Sequence, residues 1–165
     1  MVERAGVGAG DVVVDLGAGT GALTAALVAA GARVVAVEMH PGRVDGLRRR
    51  FAAAPVRVVR ADVRSLRFPR RPFRVVANPP WSAAEAVRSS LLRAPQLVRA
   101  DLVVPRWLVQ RWAAASPRIG VGASIRAESF SPPAPTGAGV AVISGRAAGR
   151  DDRRIRARPA QSNGT

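Results

Sequence analysis

The stretch Asp11–Gly31 joins a continuous β-branched run to a glycine-rich turn and then to a segment rich in alanine and leucine. A β-branched run such as DVVVDLG predicts a strand that is buried on both faces of a sheet. The following TGALTAALVAAG has a helical composition, and its closing Gly31 suits a helix C-cap. A buried strand that leads directly into a helix indicates an α/β fold with a parallel sheet.

The same alternation continues along most of the chain. Ser82 is the predicted N-cap of the helix SAAEAVRSSLLRA, with Glu85 completing a capping box. In chain order, the further predicted elements are the strand ARVVAVE, the helix PGRVDGLRRRFAA, the strands VRVVRAD and FRVVAN, the helix SAAEAVRSSLLRA, the strand ADLVVP, the helix RWLVQRWAAA, and the strands GASIRAESF and GVAVISGRA. Because the last two strands have no helix between them, we expect a Rossmann-like, doubly wound, mostly parallel sheet with a C-terminal antiparallel hairpin.

The length of 165 residues fits one domain. We expect this catalytic domain to span residues 1–146, and residues 147–165, which are charged and polar, to form a disordered tail. The absence of cysteine excludes disulfides and Cys-based zinc sites, and no metal site is predicted. No signal peptide or membrane span is recognisable. A cytoplasmic monomer without a membrane partner is therefore expected.

The charge balance is extreme for a chain of this size. All 26 basic residues are arginine, only 11 residues are acidic, and the formal net charge is +15. A GC-rich genome would explain the choice of arginine over lysine, but not the scarcity of acids. Such an excess predicts a polyanionic partner, most simply nucleic acid, through counterion release and long-range steering. A charge that merely keeps the protein soluble is the alternative.

A second group of residues predicts a nucleoside-binding site. Glycines between a buried strand and a helix allow positive φ angles and let a ligand approach the backbone. Acidic side chains that close neighbouring parallel strands lie at the same sheet edge, where Glu38 could accept bonds from two ribose hydroxyls. A tight turn without a ligand and a dinucleotide site are the alternatives, although a chain without tyrosine or lysine cannot build a Tyr/Lys hydride-transfer site. The candidate cofactor-binding residues are Asp15, Gly17, Gly19, Gly21, Glu38, Asp62, Val63 and Asn78.

The third feature is Asn-Pro-Pro-Trp after the fourth predicted strand. The side-chain oxygen of Asn78 and the carbonyl of Pro79 could both accept hydrogen bonds from an amine on a flat ring, since proline has no N–H to compete. Trp81 could stack on that ring. The alternative is a turn with a buried tryptophan. Trp107 and Trp112 are interpreted as packing residues.

These motifs together resemble a known family. DLGAGTG, Glu38, the Ala61–Asp62 pair and NPPW stand in the order and spacing of class I S-adenosylmethionine (SAM)-dependent methyltransferases. RPFRVVANPPW and FSPPAPTGAGVAVI are similar to the Erm-type rRNA adenine N6-methyltransferases, which are related to the small-subunit rRNA dimethyladenosine enzymes. The resemblance covers roughly residues 8–146. It implies that the three glycines pass the methionine part of SAM, that Glu38 holds its ribose and Asp62 its adenine amine, and that Asp15 orients the turn or meets the methionine ammonium.

The resemblance also implies an activity. It is methyl transfer from SAM to N6 of an adenine in rRNA, with 23S rRNA and the macrolide-resistance type expected, and with Asn78, Pro79 and Trp81 as the catalytic residues. DNA adenine or a protein glutamine would suit the same motif, and a catalytically silent, RNA-binding remnant is the alternative of another class. The family carries an N-terminal Gln-Asn-Phe-like segment, a C-terminal helical domain, and Tyr or Phe where Trp81 stands; none of the three is recognised in this sequence.

Overall fold

The computed structural model describes residues 1–126 and 137–146. Seven strands form one sheet, and four α-helices connect strands within the described residues. The strands are β1 (Val12–Leu16), β2 (Arg33–Glu38), β3 (Val56–Arg60), β4 (Phe73–Ala77), β5 (Leu97–Pro105), β6 (Ile119–Ile125) and β7 (Ala138–Ser144); the helices are α1 (Ala22–Ala29), α2 (Pro41–Arg50), α3 (Ala84–Arg93) and α4 (Arg106–Ala115), with 3₁₀ turns at Glu3–Ala5 and Trp81–Ala83.

The sheet has the strand order β3-β2-β1-β4-β5-β7-β6. The first five strands pair in parallel, whereas β7 lies antiparallel between β5 and β6. The chain runs outward from β1 to β3 and then returns to place β4 on the other side of β1, so the order reverses between β1 and β4. The predicted fold class, including the C-terminal hairpin, is confirmed. Ligands of such sheets bind beyond the carboxyl ends of the strands at this reversal.

Helices cover both faces of the sheet. On one face α1 buries Leu27 against β1 and β2, and α2 buries Leu47 and Phe51 beside Ala36. On the other face α3 and α4 contribute Leu91 and Trp112, among others, to the largest apolar cluster. The burial of Trp112 confirms its prediction as a packing residue.

The connection between β3 and β4 is the exception, because residues 61–72 contain no helix. The prolines Pro69 and Pro72 disfavour a helix here, since proline has no backbone N–H and clashes with the preceding turn. Leu66 and Phe68 pack against the apolar cluster of the α3/α4 face, and the Phe68 ring stacks on Phe73 with centroids 5.2 Å apart. The Pro/Arg-rich segment between β3 and β4 therefore crosses the sheet face as a loop.

Two predicted strands have different limits in the structure. β5 begins at Leu97 rather than at Ala100, because Leu97 pairs in parallel with Phe73 of β4 and Arg99 lies opposite Ser144 of β7. β6 begins at Ile119 rather than at Gly122. The remainder of GASIRAESF, the loop SPPAPTGA up to residue 136 and the predicted tail 147–165 lie outside the described residues.

Two local predictions are wrong. Ser82 does not cap α3, which begins at Ala84 with Ala83 as its N-cap and no side-chain cap. The reason is that the Ala83 N–H donates to the Pro80 carbonyl (2.8 Å) and forms a 3₁₀ turn first. Trp107 is not a packing residue: its side chain lies on the outer side of α4 and is 58% exposed.

A membrane-spanning helix would need to be long and apolar. Across residues 1–126 and 137–146, no helix meets both conditions.

Candidate functional site

The predicted site residues meet at the carboxyl edge of the sheet. β1 ends at Leu16, β2 at Glu38, β3 at Arg60 and β4 at Ala77, and the candidate residues are either the last of their strand or within a few residues of it. Parallel pairing of these four strands brings their ends to one edge. The candidate site therefore lies at the reversal in strand order.

The glycine turn, Gly17–Gly21, is held to β2 by its backbone. The N–H groups of Gly17 and Ala18 both donate to the Val37 carbonyl, each at 2.9 Å. Gly17, Gly19 and Gly21 have φ angles of +77°, +58° and +87°. Residues that carry a side chain rarely adopt positive φ angles, so the turn depends on glycine.

Gly17 also brings the turn into contact with the NPPW loop, Asn78–Trp81. A Cβ placed on Gly17 would lie 3.1 Å from Cδ of Pro80 and 3.6 Å from the carbonyl oxygen of Asn78. Gly19 faces open space by comparison, since the nearest atom to a Cβ there is 3.9 Å away. The turn is thus packed against the loop at Gly17 and open to a ligand at Gly19.

Glu38 ties the turn to the end of β2. Its Oε2 accepts from the N–H of Gly19, and its Oε1 accepts from the N–H groups of Met39 and His40, all at 2.9 Å. Burial alone would raise the pKa of Glu38, but these three bonds and the nearby Arg43 lower it below its ordinary value. The Glu38 carboxylate is therefore ionised at neutral pH, as an acceptor for ribose hydroxyls must be.

Asp15 is buried beside the turn, with 1% of its surface exposed. Burial raises its pKa to about 6; the charge of Glu38 adds to this effect, and a hydrogen bond from the Thr24 hydroxyl opposes it. That bond, Thr24 Oγ1 to Asp15 Oδ2, measures 2.7 Å and joins β1 to α1. An anionic carboxylate held at this depth would favour a cationic ligand group, because a positive charge nearby stabilises the ionised form.

Asp62 and Val63 follow β3 at the same edge. Arg64 donates to both carboxylate oxygens of Asp62, with the shortest contact from Nη2 at 2.7 Å, and lowers the pKa of Asp62. A ligand amine would therefore have to share this carboxylate with a guanidinium. The side chain of Val63 is buried in the core, so only its backbone can face a ligand.

The NPPW loop presents an amide and an indole. Asn78 is exposed, and within the described part of the chain its side chain has no hydrogen-bond partner. Pro79 is buried, and this burial holds its backbone carbonyl in place beside Asn78. Trp81 is half-buried and packs against an apolar cluster of β5 and β7 that includes Val103 and Val140. The loop thus holds a free amide next to an anchored aromatic ring.

Polar contacts behind the loop fix the two helices that follow it. Glu85, in the first turn of α3, accepts from Trp112 Nε1 (2.9 Å) and from Arg88 Nε (3.0 Å), and it pairs with Arg111 at 3.4 Å. Burial would raise the pKa of Glu85, but these donors lower it. Glu85 therefore joins α3 to α4 behind the loop instead of capping a helix.

Two residues of this arrangement are absent from the sequence predictions. Thr24 is the one hydroxyl in an otherwise apolar α1, and a polar side chain on a helix that must pack on the sheet could have indicated a buried partner. Pro80 contacts the glycine turn, which nothing in the local sequence indicates. His40 is exposed and is the N-cap residue of α2, with no hydrogen bond from its side chain to the helix.

Comparisons with known proteins agree with this geometry. A family model described as "Methyltransferase domain" matches residues 13–94. Ribosomal RNA small subunit methyltransferase A of Leifsonia xyli subsp. xyli (strain CTCB07) is 38% identical over 124 residues, which are 71% of this chain and 44% of the relative. The mycinamicin-resistance protein MyrB of Micromonospora griseorubida is 40% identical over 110 residues, 67% of this chain and 33% of the relative.

Solved structures show the same fold. The 23S rRNA methyltransferase ErmE superposes with a TM-score of 0.79 at 21% identity, covering 94% of this chain and 72% of ErmE. The chain spans less than half the length of the two curated relatives. The methyltransferase-domain match, the two relatives and the sheet order carry one conclusion. This chain contains a methyltransferase domain and is similar to the rRNA adenine N6-methyltransferases of the Erm type.

Proposed function

We propose that this chain carries the catalytic domain, residues 1–146, of an enzyme that transfers a methyl group from SAM to N6 of an adenine in rRNA. The observation that supports this most is the close approach of Gly17 to the backbone of the NPPW loop, which brings the glycine turn next to the loop that carries the unpaired Asn78 amide. The relatives supply the substrate class, since their names include rRNA methyltransferases. The names of MyrB, a mycinamicin-resistance protein, and of ErmE, a 23S rRNA methyltransferase, support 23S rRNA as the substrate and a macrolide-resistance role.

The residues at the edge fit SAM. The open backbone at Gly19 would face the methionine part, the ionised Glu38 would accept from the ribose hydroxyls, and the buried Asp15 would face the ammonium. Asp62 and the backbone of Val63 would meet the adenine. When bound, SAM supplies a methyl group on a positively charged sulfur, which makes that carbon an electrophile.

The NPPW loop would then prepare the nucleophile. An exocyclic adenine amine is a weak nucleophile because its lone pair is delocalised into the ring. The side-chain oxygen of Asn78 and the carbonyl of Pro79 would each accept one N–H bond and hold the amine in a reactive orientation. Trp81 would stack on the flipped base, and such stacking is worth about 1–3 kcal/mol, which offsets the cost of unstacking it from the RNA.

The partner follows from the charge and the substrate. An RNA substrate accounts for the formal net charge of +15, because arginines contact phosphates without reading sequence. We propose that the enzyme works as a monomer in the cytoplasm, where rRNA is available to it. Calorimetric titration tests the cofactor half of the proposal: SAM should bind with one-to-one stoichiometry, and NAD should not bind.

Replacing Glu38 by alanine is expected to weaken SAM binding by a factor on the order of 10 to 100, because a hydrogen bond to a charged group contributes about 1.5–3 kcal/mol. The same change leaves the N–H of Gly19 without its acceptor and loosens the glycine turn. Calorimetry with SAM measures the effect. Glu38→Gln, which keeps one acceptor, is the matched variant and should lose less. Equal dissociation constants for wild type and Glu38→Ala would contradict the assignment.

Replacing Trp81 by alanine is expected to lower kcat/KM for RNA by about 5- to 160-fold, which corresponds to the loss of about 1–3 kcal/mol of base stacking. Trp81→Phe should retain most of the activity, since a phenyl ring also stacks. Because Trp81 packs against β5 and β7, thermal unfolding must show that both variants are folded. SAM affinity should stay within about twofold in both. If the two variants were equally impaired, stacking would not be the role of Trp81.

A further inference from the structure

The helix-free connection between β3 and β4 separates two grooves on the sheet face that α3 and α4 partly cover. The larger groove has a volume of about 870 Å³ and lies over the amino-terminal halves of β1, β2 and β3. The smaller groove, about 440 Å³, lies between the same loop and the C-terminal end of α3. Residues Leu66–Arg70 line both grooves, so this segment forms a ridge between them.

Every charged side chain that lines either groove is an arginine. In the larger groove, Arg33 and Arg57 stand on the strands. Arg67 and Arg70 lie on the ridge itself, and Arg93 completes the smaller groove from α3. No carboxylate lines either groove, although the described chain contains acidic residues elsewhere. The floor is apolar: Val12, Val35, Leu66 and Phe68 are only partly buried there.

The ridge arginines are available to a partner. Arg67, Arg70 and Arg71 are exposed, and no ion pair or hydrogen bond engages them within residues 1–126 and 137–146. Arg71 lines the larger groove beside them. Like charges on one short loop repel one another, so a partner with negative charge at regular spacing would reduce their repulsion.

The course of the ridge connects it to the candidate site. The loop leaves β3 at the carboxyl edge, next to Asp62, and enters β4 at the opposite edge, at Phe73. It must cross the whole sheet face because β3 and β4 both run parallel to β1. A polymer that lies along it would start near the cofactor edge and continue away from it.

We infer that the arginine ridge, Leu66–Arg71, and its two grooves bind the RNA strand that continues from the target adenine. This inference rests on the proposed function. The arginines contact phosphates, and the apolar floor accepts base or sugar faces. Such contacts position the RNA and carry no sequence specificity. The ridge thus contributes to rRNA affinity at a distance from the carboxyl edge of the sheet, and it takes no part in methyl transfer.

A matched pair of double variants tests the ridge. Arg67→Gln/Arg70→Gln removes two ridge charges, whereas Arg48→Gln/Arg49→Gln removes two exposed charges from the last turn of α2, on the other face. Both variants have the same net charge. Binding of protein-free 23S rRNA and of poly(U) is measured between 50 and 300 mM salt, about the range over which such contacts weaken. The slope of log K against log salt should fall in magnitude by about 1.4 in the ridge variant, at about 0.7 per phosphate contact, and by clearly less in the control.

Kinetics separate this inference from the proposed function. In the ridge variant KM for RNA should rise, while kcat at saturating RNA, the dissociation constant of SAM and the melting temperature stay as in wild type. Equal slopes in the two double variants would overturn the ridge as a binding site, because net charge alone would then explain affinity. Ridge-dependent binding of poly-glutamate in place of RNA would also overturn it. A wild-type protein that binds RNA through the ridge but transfers no methyl group would contradict only the proposed function.

Discussion

The Asn78→Ala variant is expected to transfer methyl groups 10²- to 10³-fold more slowly than wild type, the order of magnitude seen when one preorganised polar group is removed from an active site. Asn78 is exposed at the end of β4, and its amide is not engaged by other described residues, so its removal costs the fold little. The loss should therefore fall on kcat. SAM should still bind within about twofold of wild type, because the variant leaves the glycine turn and Glu38 in place. Single-turnover transfer at saturating SAM and RNA measures this.

Two further variants make that result specific. Asn78→Asp keeps an acceptor oxygen and should recover part of the rate lost in Asn78→Ala. Ser82→Ala changes an exposed neighbour that does not cap α3, and it should transfer methyl groups at the wild-type rate. Wild-type rates in Asn78→Ala would show that the amide does not hold the nucleophile, and the role proposed for the NPPW loop would fail.

The second large expected effect is a loss of stability with rising pH that is caused by Asp15. Its folded-state pKa of about 6 lies above the value of 3.8 that applies in the unfolded chain. The native state therefore holds its proton more tightly than the unfolded state. The contribution of Asp15 to the free energy of unfolding of wild type is fully present below pH 3.8 and is lost as the pH rises through about 6. Each pKa unit corresponds to about 1.36 kcal/mol, so the loss approaches 3 kcal/mol by neutral pH.

Asp15→Asn removes this penalty and keeps an oxygen that can accept the Thr24 hydroxyl. The free energy of unfolding of Asp15→Asn relative to wild type should therefore increase by about 2.4 kcal/mol between pH 4 and pH 8. Urea unfolding at several pH values measures it. The more stable variant should bind SAM less tightly, since it lacks the anion that we propose meets the methionine ammonium. A relative stability that does not change with pH would contradict the raised pKa of Asp15.

Thr24→Val provides the matched control for that titration. Valine has nearly the shape of threonine but cannot donate to Asp15, and this donation is what holds the pKa of Asp15 down. The pH window in which stability is lost should therefore extend to higher pH in Thr24→Val. An unchanged window would mean that the hydroxyl does not influence Asp15.

The strands that could be predicted from the sequence are those whose local residue pattern matches their environment in the folded protein. β1 and β4 consist mainly of β-branched and apolar residues, each with one charged residue, and each ends at a glycine or a proline-rich loop; both form strands as predicted. β6 was less predictable, because its glycines weaken the strand signal and its start at Ile119 depends on pairing with Ile143 of β7. Such pairing between distant segments has no local signature.

The candidate site also contains residues that could be predicted from the sequence and contacts that could not. Asp15, Glu38 and Asn78 could be placed at the carboxyl edge because each follows or closes a parallel strand. The contact between Gly17 and Pro80 could not, since it depends on how closely β1 and β4 pack. Glu85 is the clearest failure: the local pattern favours a capping box, but the indole of Trp112 and two arginines, which approach from the folded chain, compete for its carboxylate.

Labelled methyl transfer from SAM to protein-free 23S and 16S rRNA, followed by mass spectrometry of the nucleosides, tests the central proposal most directly. We expect N6-methyladenine in 23S rRNA with wild-type protein and almost none with Asn78→Ala. Label in 16S rRNA alone would keep the chemistry and change the substrate. RNA that binds without gaining label would contradict the proposal and would identify the chain as a catalytically silent, RNA-binding member of the family.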